Sequence, residues 1–247
     1  MRSHWLETGT GAALLQEESR QVAVIFDSIF GDQLLQIGAW GAPELFRRYA
    51  RTRRYAIVAA QREPGIDFVS LPEGLAVASD SIDAVFLPHV LETTDDPHAV
   101  LREVDRILRP DGHVVIAGFN SWGWWGLRHY LSRGRFPAGG QRMVSEYRVR
   151  DWLNLLDFNV QPGRFHHMAA PLYRLSGPAA MLADPVESGD RGSQVPAAHY
   201  RHWNPLASCY LLVARREVFT VTRIRPAFRR RAQLVGSLVN PTTRNAA

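Results

Sequence analysis

With 247 residues, 46% of them hydrophobic and 21% charged, the chain has room for one large α/β domain and too little for two comfortable ones. Its formal charge of +5 comes entirely from arginine, because the 29 basic residues include no lysine; this reads as a coding bias before it reads as a nucleic-acid signature. No apolar stretch approaches the roughly 20 residues that span a bilayer, no basic start with an apolar run opens the sequence, and the single Cys209 has no internal partner, so the expectation is a protein without a transmembrane segment in a reducing cytoplasm.

Residues 1–32 read as a helical cap, in which Leu14, Leu15, Val22, Ile25 and Phe26 fall at helical spacing between Gly11 and Phe30. A short strand is predicted at Gln33 to Ile37. It runs into the turn Gly38-Ala39-Trp40-Gly41 and a helix starting near Pro43, which is the order of elements in which a nucleotide-like ligand docks. The Arg47 to Arg54 cluster begins as the back of that helix. A second strand, Tyr55 to Ala59, is followed by Ala60, Gln61 and a mere turn, Arg62 to Gly65.

The clearest signal is a β-α-β unit. A β-branched strand, Ala84 to Leu87, leads through a turn at Thr93 to Pro97 into an amphipathic helix, His98 to Leu108, then a Pro-Asp-Gly stop and a strand at His113 to Ala117. Parallel strands follow from so short a crossover, and ligands of such sheets bind at the strands' carboxyl ends, which points to Leu87 to Glu92. His89 is the candidate general base there, with Glu92 able to orient it, while Asp83 sits at the far end of its strand as a structural residue.

Beyond this unit, Gly118 to Tyr130 is the aromatic-richest part of the chain. Asn120, Trp122 and Trp124 are candidates to line a substrate pocket or to pack a cap helix. Ser145 caps a predicted helix that leads into a strand near Val160, and a final strand is placed at Ser208 to Ala214. Residues 171–205 form an insert or lid, and 221–247 a basic tail that reads as disordered. The imidazoles of His166, His167, His199 and His202 lack carboxylate or thiol partners at ligand spacing, so no metal is expected.

The phrases Ile82-Asp83-Ala84-Val85, His89-Val90-Leu91-Glu92, Leu108-Arg109-Pro110-Asp111-Gly112 and Val114-Val115-Ile116 occur in one order. Together they resemble the second half of the class I S-adenosylmethionine (SAM) dependent methyltransferase domain, in the type 11 branch that includes ubiquinone and menaquinone biosynthesis methyltransferases; related bacterial proteins share the Leu-Pro-His-Val-Leu-Glu and Gly-Phe-Asn-x-Trp phrases. The resemblance covers roughly residues 33–216. It implies a Rossmann-like α/β sandwich, with a seven-stranded, mostly parallel sheet, an antiparallel last strand, and a methyltransferase domain at 33–220. It implies SAM as cofactor, with Gln36, Gly38, Gly41, Ala60, Glu73, Leu87 and His89 around it, and a small or medium-sized aromatic or isoprenoid-like molecule as methyl acceptor.

The chain departs from the family pattern at four places. Gln36 stands where the family has an acid, Trp40 where it has the middle glycine, Ala60 and Gln61 where an acid meets the ribose, and Leu71 where an aspartate meets adenine, with Glu73 the nearest acid. These departures leave a second reading open, a catalytically inactive binding protein whose Trp40 fills the cofactor cavity. A third, an RNA methyltransferase, requires the arginine clusters to share a face with the cleft. Oligomeric state is not legible in the sequence.

Overall fold

The computed structural model describes residues 6, 9–131, 142–166 and 207–217. Helix α1 (Gly9–Phe26) leads into β1 (Phe30–Ile37); a single helical turn α2 (Glu44–Arg47) and strand β2 (Arg51–Ala59) follow, then the two-residue β3 (Phe68–Val69). Next come β4 (Ile82–Pro88), α3 (Pro97–Ile107), β5 (Leu108–Phe119), α4 (Trp124–Leu131), α5 (Glu146–Leu155), β6 (Phe158–Val160), β7 (Arg164–His166) and β8 (Cys209–Arg216).

The strands make one sheet in the order β3-β2-β1-β4-β5-β8-β6, with β7 also on β8. All pairings up to β4–β5 are parallel, and β8 runs antiparallel to β5. β6 and β7 lie antiparallel along one edge of β8, and the Gln161 N–H donates to the Val213 carbonyl between them, so the two short pieces fill one track. The expected seven-track, mostly parallel sheet with an antiparallel last strand is therefore present. Ser208 lies just outside that last strand, which runs two residues past Ala214.

Period-two alternation sorts the side chains onto two faces. Leu35, Val85, Leu87, Val114, Ile116 and Leu212 pack towards α3 and α5. Their neighbours Leu34, Ala84, Phe86, Val115, Ala117 and Leu211 pack towards α1, where Phe26 and Phe46 meet Phe86 edge-on at 5.5 and 5.0 Å. α3 is the most amphipathic element. Asp96 caps it by accepting the Ala99 N–H at 3.0 Å, Pro97 opens its first turn, and Val100, Leu101, Val104 and Ile107 are buried, each contributing about 1.5–3 kcal/mol.

Two boundaries differ from expectation. The arginine cluster begins in α2 with Arg47, but Arg51 to Arg54 already belong to β2, with Arg51, Thr52 and Arg54 in register with Phe30, Gly31 and Gln33 of β1. Pro110-Asp111-Gly112 does not stop the chain before β5 but lies inside it as an irregularity, with Asp111 at φ 65° and a register shift opposite Ile82 and Ala84. The segment 70–81 carries no helix. Arg106 holds it instead, donating to the Leu75 and Val77 carbonyls at 3.0 and 2.9 Å, while Glu103 accepts the Leu75 N–H. Residues 171–205 and 221–247 lie outside the described residues.

Candidate functional site

At the carboxyl end of β1 the chain turns through two left-handed glycines, Gly38 at φ 91° and Gly41 at φ 68°. A Cβ on Gly38 would sit 2.7 Å from the Val90 side chain, so both conformation and space demand glycine there. Gln36 braces the turn. Its Nε2 donates to the Gly38 carbonyl at 2.8 Å, its Oε1 accepts the Tyr55 hydroxyl, and it is buried. A neutral amide thus uses both its donor and its acceptor where an acid was expected.

Trp40 packs inward, 6% exposed. Its ring lies against His89 with centroids 4.2 Å apart; Phe119 is tilted against the same imidazole at 4.1 Å, meets Trp40 edge-on at 6.2 Å and stacks in turn on Trp125 at 5.7 Å. His89 sits just past β4 at φ 52°, its N–H donating to the Ala117 carbonyl. Glu18, reaching in from α1, accepts from both rings: Oε2 from the Trp40 indole N–H at 2.7 Å, Oε1 paired with His89 Nε2 at 2.6 Å. Glu92 accepts the Phe119 N–H at 2.7 Å, and its Oε1 stands 3.8 Å from His89 Nδ1, an ion-pair contact beyond hydrogen-bond length.

Burial alone pushes the His89 pKa down, but the carboxylates of Glu18 and Glu92 outweigh it and raise it from 6.5 to about 9. At neutral pH the ring is an imidazolium in contact with two aromatic rings, Trp40 and Phe119. It is 1% exposed, so the expectation that it faces an open cleft is not met. Leu87 is likewise no cleft residue: it is fully buried on the opposite face, among the α3 and α5 contacts.

Asn120 is buried and clamps the chain crossing, donating from Nδ2 to the Ala207 carbonyl and accepting the Trp122 N–H. Trp122 points to solvent at 74% exposure and lines no pocket. Trp124 begins α4, but its side chain lies outside the described residues. Gly38, Gly41, the exposed Ala60 and the half-buried Glu73, which accepts the Thr94 hydroxyl, are gathered along the carboxyl edge. A groove of about 360 Å³ lies elsewhere, towards the amino ends of β1 and β2, lined by Gln33, Leu35, Arg54, Ala56, Phe68 and Ile82.

Glu18, His89 and Cys209 bring one ligand atom each within 4.8 Å of one another. The Glu18–His89 contact is that of a hydrogen bond, shorter than the roughly 3.4 Å kept by two ligands about 2.1 Å from a tetrahedral zinc. Burial and the two nearby carboxylates push the Cys209 thiol up, which keeps it protonated. Glu18 escaped the sequence reading. Its signal was there: it falls midway between Leu14 and Val22 on the apolar stripe of α1, an acid where the helix faces the core.

Residues 50–116 match the methyltransferase domain family. The chain is 35% identical over 164 residues to the uncharacterised Escherichia coli (strain K12) protein YafS, an alignment covering 66% of this chain and 68% of that one. The chain belongs to the class I SAM-dependent methyltransferases. The fold is shared with solved structures: a SAM-dependent methyltransferase of Archaeoglobus fulgidus superposes with a TM-score of 0.56 at 14% identity, covering 83% of this chain and 94% of that one. One of Thermotoga maritima gives 0.55 at 16% identity, over 82% and 89%.

Within this methyltransferase fold the Arg51 to Arg54 run sits at the amino end of β2, opposite the glycine turn. It does not share a face with the carboxyl edge, as an RNA methyltransferase would require, and the arginines beyond residue 220 lie outside the described residues. Among the described residues no helix is long and apolar enough to cross a membrane.

Proposed function

We propose that the protein transfers a methyl group from SAM to a small or medium-sized acceptor of aromatic or isoprenoid-like character. The observation that carries this reading is the turn at the end of β1, where two left-handed glycines bend the chain beside the carboxyl end of β4. The residues fit the cofactor in part. Backbone in the turn after Gly38 would hold the amino-acid end, the exposed Gln61 beside Ala60 offers an amide to the ribose, and Glu73 stands near the adenine side. SAM supplies a methyl group on a cationic sulfonium, ready for in-line displacement. The protein's task is then to orient the acceptor and exclude water.

His89 acts here as a positioning residue rather than a base. A ring that keeps its proton up to about pH 9 removes none at neutral pH, so the reading favours acceptors needing no protein base, such as an ionised phenol or an electron-rich ring carbon. Phe119, Trp125 and Trp40 give the region around it an aromatic character suited to such acceptors.

One observation supports a second reading, a binding protein without catalysis: Trp40 is packed into the turn itself, held by Glu18. Calorimetric titration with SAM and S-adenosylhomocysteine separates the two. Micromolar binding by the wild type, abolished in Gly38→Arg, supports the enzyme and justifies a screen of acceptors. Absence of binding up to millimolar SAM, with binding restored in Trp40→Gly, supports the plugged, non-catalytic form.

A further inference from the structure

Among the described residues four buried side-chain atoms have no hydrogen-bond partner: Arg47 Nε, Ser208 Oγ, His89 Nδ1 and Glu92 Oε2. Two of the four belong to one pair, His89 and Glu92, whose side chains are each 1% exposed and meet at 3.8 Å through Nδ1 and Oε1. The remaining polar atoms of the pair are engaged. Glu18 holds His89 Nε2, which fixes the ring and leaves Nδ1 as its open position, and Glu92 Oε1 accepts the Phe119 N–H. A buried donor and a buried acceptor left together in this way each cost as much as a lost hydrogen bond, so the pair calls for a ligand or an ordered water to complete it.

Its place in the fold selects between the two. The pair flanks Val90, whose side chain stands 2.7 Å from where a Cβ on Gly38 would lie, so it adjoins the turn whose backbone would hold the amino-acid end of SAM. From Gln36 to Pro43 the sequence carries no acid, and Gln36 itself is already spent on the Gly38 carbonyl and the Tyr55 hydroxyl. The amino-acid end bears an ammonium and a carboxylate on one carbon. An imidazolium N–H and a carboxylate oxygen are their complements, each able to make a charge-assisted hydrogen bond to one of them. Trp40 lies against the imidazole with its N–H on Glu18, so entry requires the indole to move.

We infer that His89 Nδ1 and Glu92 Oε2 bind the amino-acid end of SAM, the imidazole donating to its carboxylate and Glu92 accepting from its ammonium. This assignment rests on the methyltransferase reading. It gives the acid missing at Gln36 a replacement that comes from the far side of β4, and it makes Glu92 a determinant of cofactor choice.

The test compares two ligands by calorimetric titration of the full chain. S-adenosylhomocysteine carries the amino-acid end; methylthioadenosine keeps the adenosine and the thioether without it. The wild type should prefer the first. In Glu92→Gln and in His89→Gln the affinity for S-adenosylhomocysteine should fall at least about tenfold while that for methylthioadenosine stays the same, the second ligand reporting that the pocket is intact. Should His89→Gln melt too low to titrate, Glu92→Gln, which keeps an acceptor for the Phe119 N–H, carries the comparison. Equal loss for both ligands overturns the proposal and makes the pair a structural brace; no loss for either overturns it and assigns the open atoms to a buried water. If the wild type binds neither ligand, the same comparison is made in Trp40→Gly. Binding of neither there removes the methyltransferase reading and this assignment with it, whereas equal binding of the two ligands overturns this assignment alone.

Discussion

His89 holds a charge in the interior, and its surroundings dictate how that charge behaves with pH. Its folded pKa of about 9 lies above the ordinary 6.5, so the ion pair with Glu18 contributes its full stability below pH 6.5 and loses it as pH rises through about 9. The expected outcome is a melting temperature that declines between pH 7 and 9.5, with a flatter decline in His89→Gln. Glu18 is the more sensitive residue, because it serves two donors at once. In Glu18→Ala the indole N–H and the imidazolium are both left buried without their acceptor, and urea denaturation should show a loss of about 3–5 kcal/mol, with a smaller loss in Glu18→Gln. At this scale the sequence was least readable. His89 and Glu92 were marked by the phrase they belong to, but the acid that holds the imidazole comes from a helix 71 residues away, and nothing local to His89 announces it.

Elements were legible wherever one face met the core. α3 shows why: its buried residues recur at helical spacing between a capping aspartate and a β-strand, and sequence and structure agree on it to within a residue. α5 follows the same logic with Ser145 as its cap. β2 was only half visible, because its first four residues extend beyond the core, are mostly exposed, and carry arginines that alternation cannot recognise. Asp83 pins this same region. Its Oδ2 accepts the Asp32 and Gln33 N–H groups at 2.8 Å and its Oδ1 meets Arg109 at 2.7 Å. Burial raises its pKa, yet these donors win and leave it below the usual value, so its contribution is present near neutrality and fades as pH falls through that lowered pKa. Asp83→Ala should cost about 1–3 kcal/mol in chemical denaturation, since one of the two amides it strands is half-buried.

For the molecule as a whole, a mostly parallel sheet with an antiparallel last strand was legible from the short crossover and from the resemblance, and its carboxyl edge is where a ligand would bind. A bound cofactor stabilises only the folded state. At a hundredfold excess over its Kd, SAM should add about 2.7 kcal/mol, which for a chain of this size is a rise of roughly 5–10 °C in melting temperature. A thermal scan with and without SAM checks this, and Gly38→Arg should show no rise. The four departures in the turn and around the ribose and adenine positions could be read from the sequence, but their consequence could not. Whether a tryptophan in a glycine turn blocks or lines a pocket depends on what anchors its indole, and that anchor lies on α1.

The position of β8 has a consequence for synthesis. It is an interior strand, flanked by β5 on one side and by β6 and β7 on the other, yet it is made last of all of them. Until Cys209 to Arg216 emerge from the ribosome, the apolar edge of β5 has no neighbour, and at typical elongation rates the stretch between Phe119 and Cys209 takes on the order of ten seconds to make. During that interval the nascent chain presents an unpaired strand of the kind that other chains add to. Expression yield should therefore depend more on chaperone supply and translation speed than the stability of the finished domain would suggest.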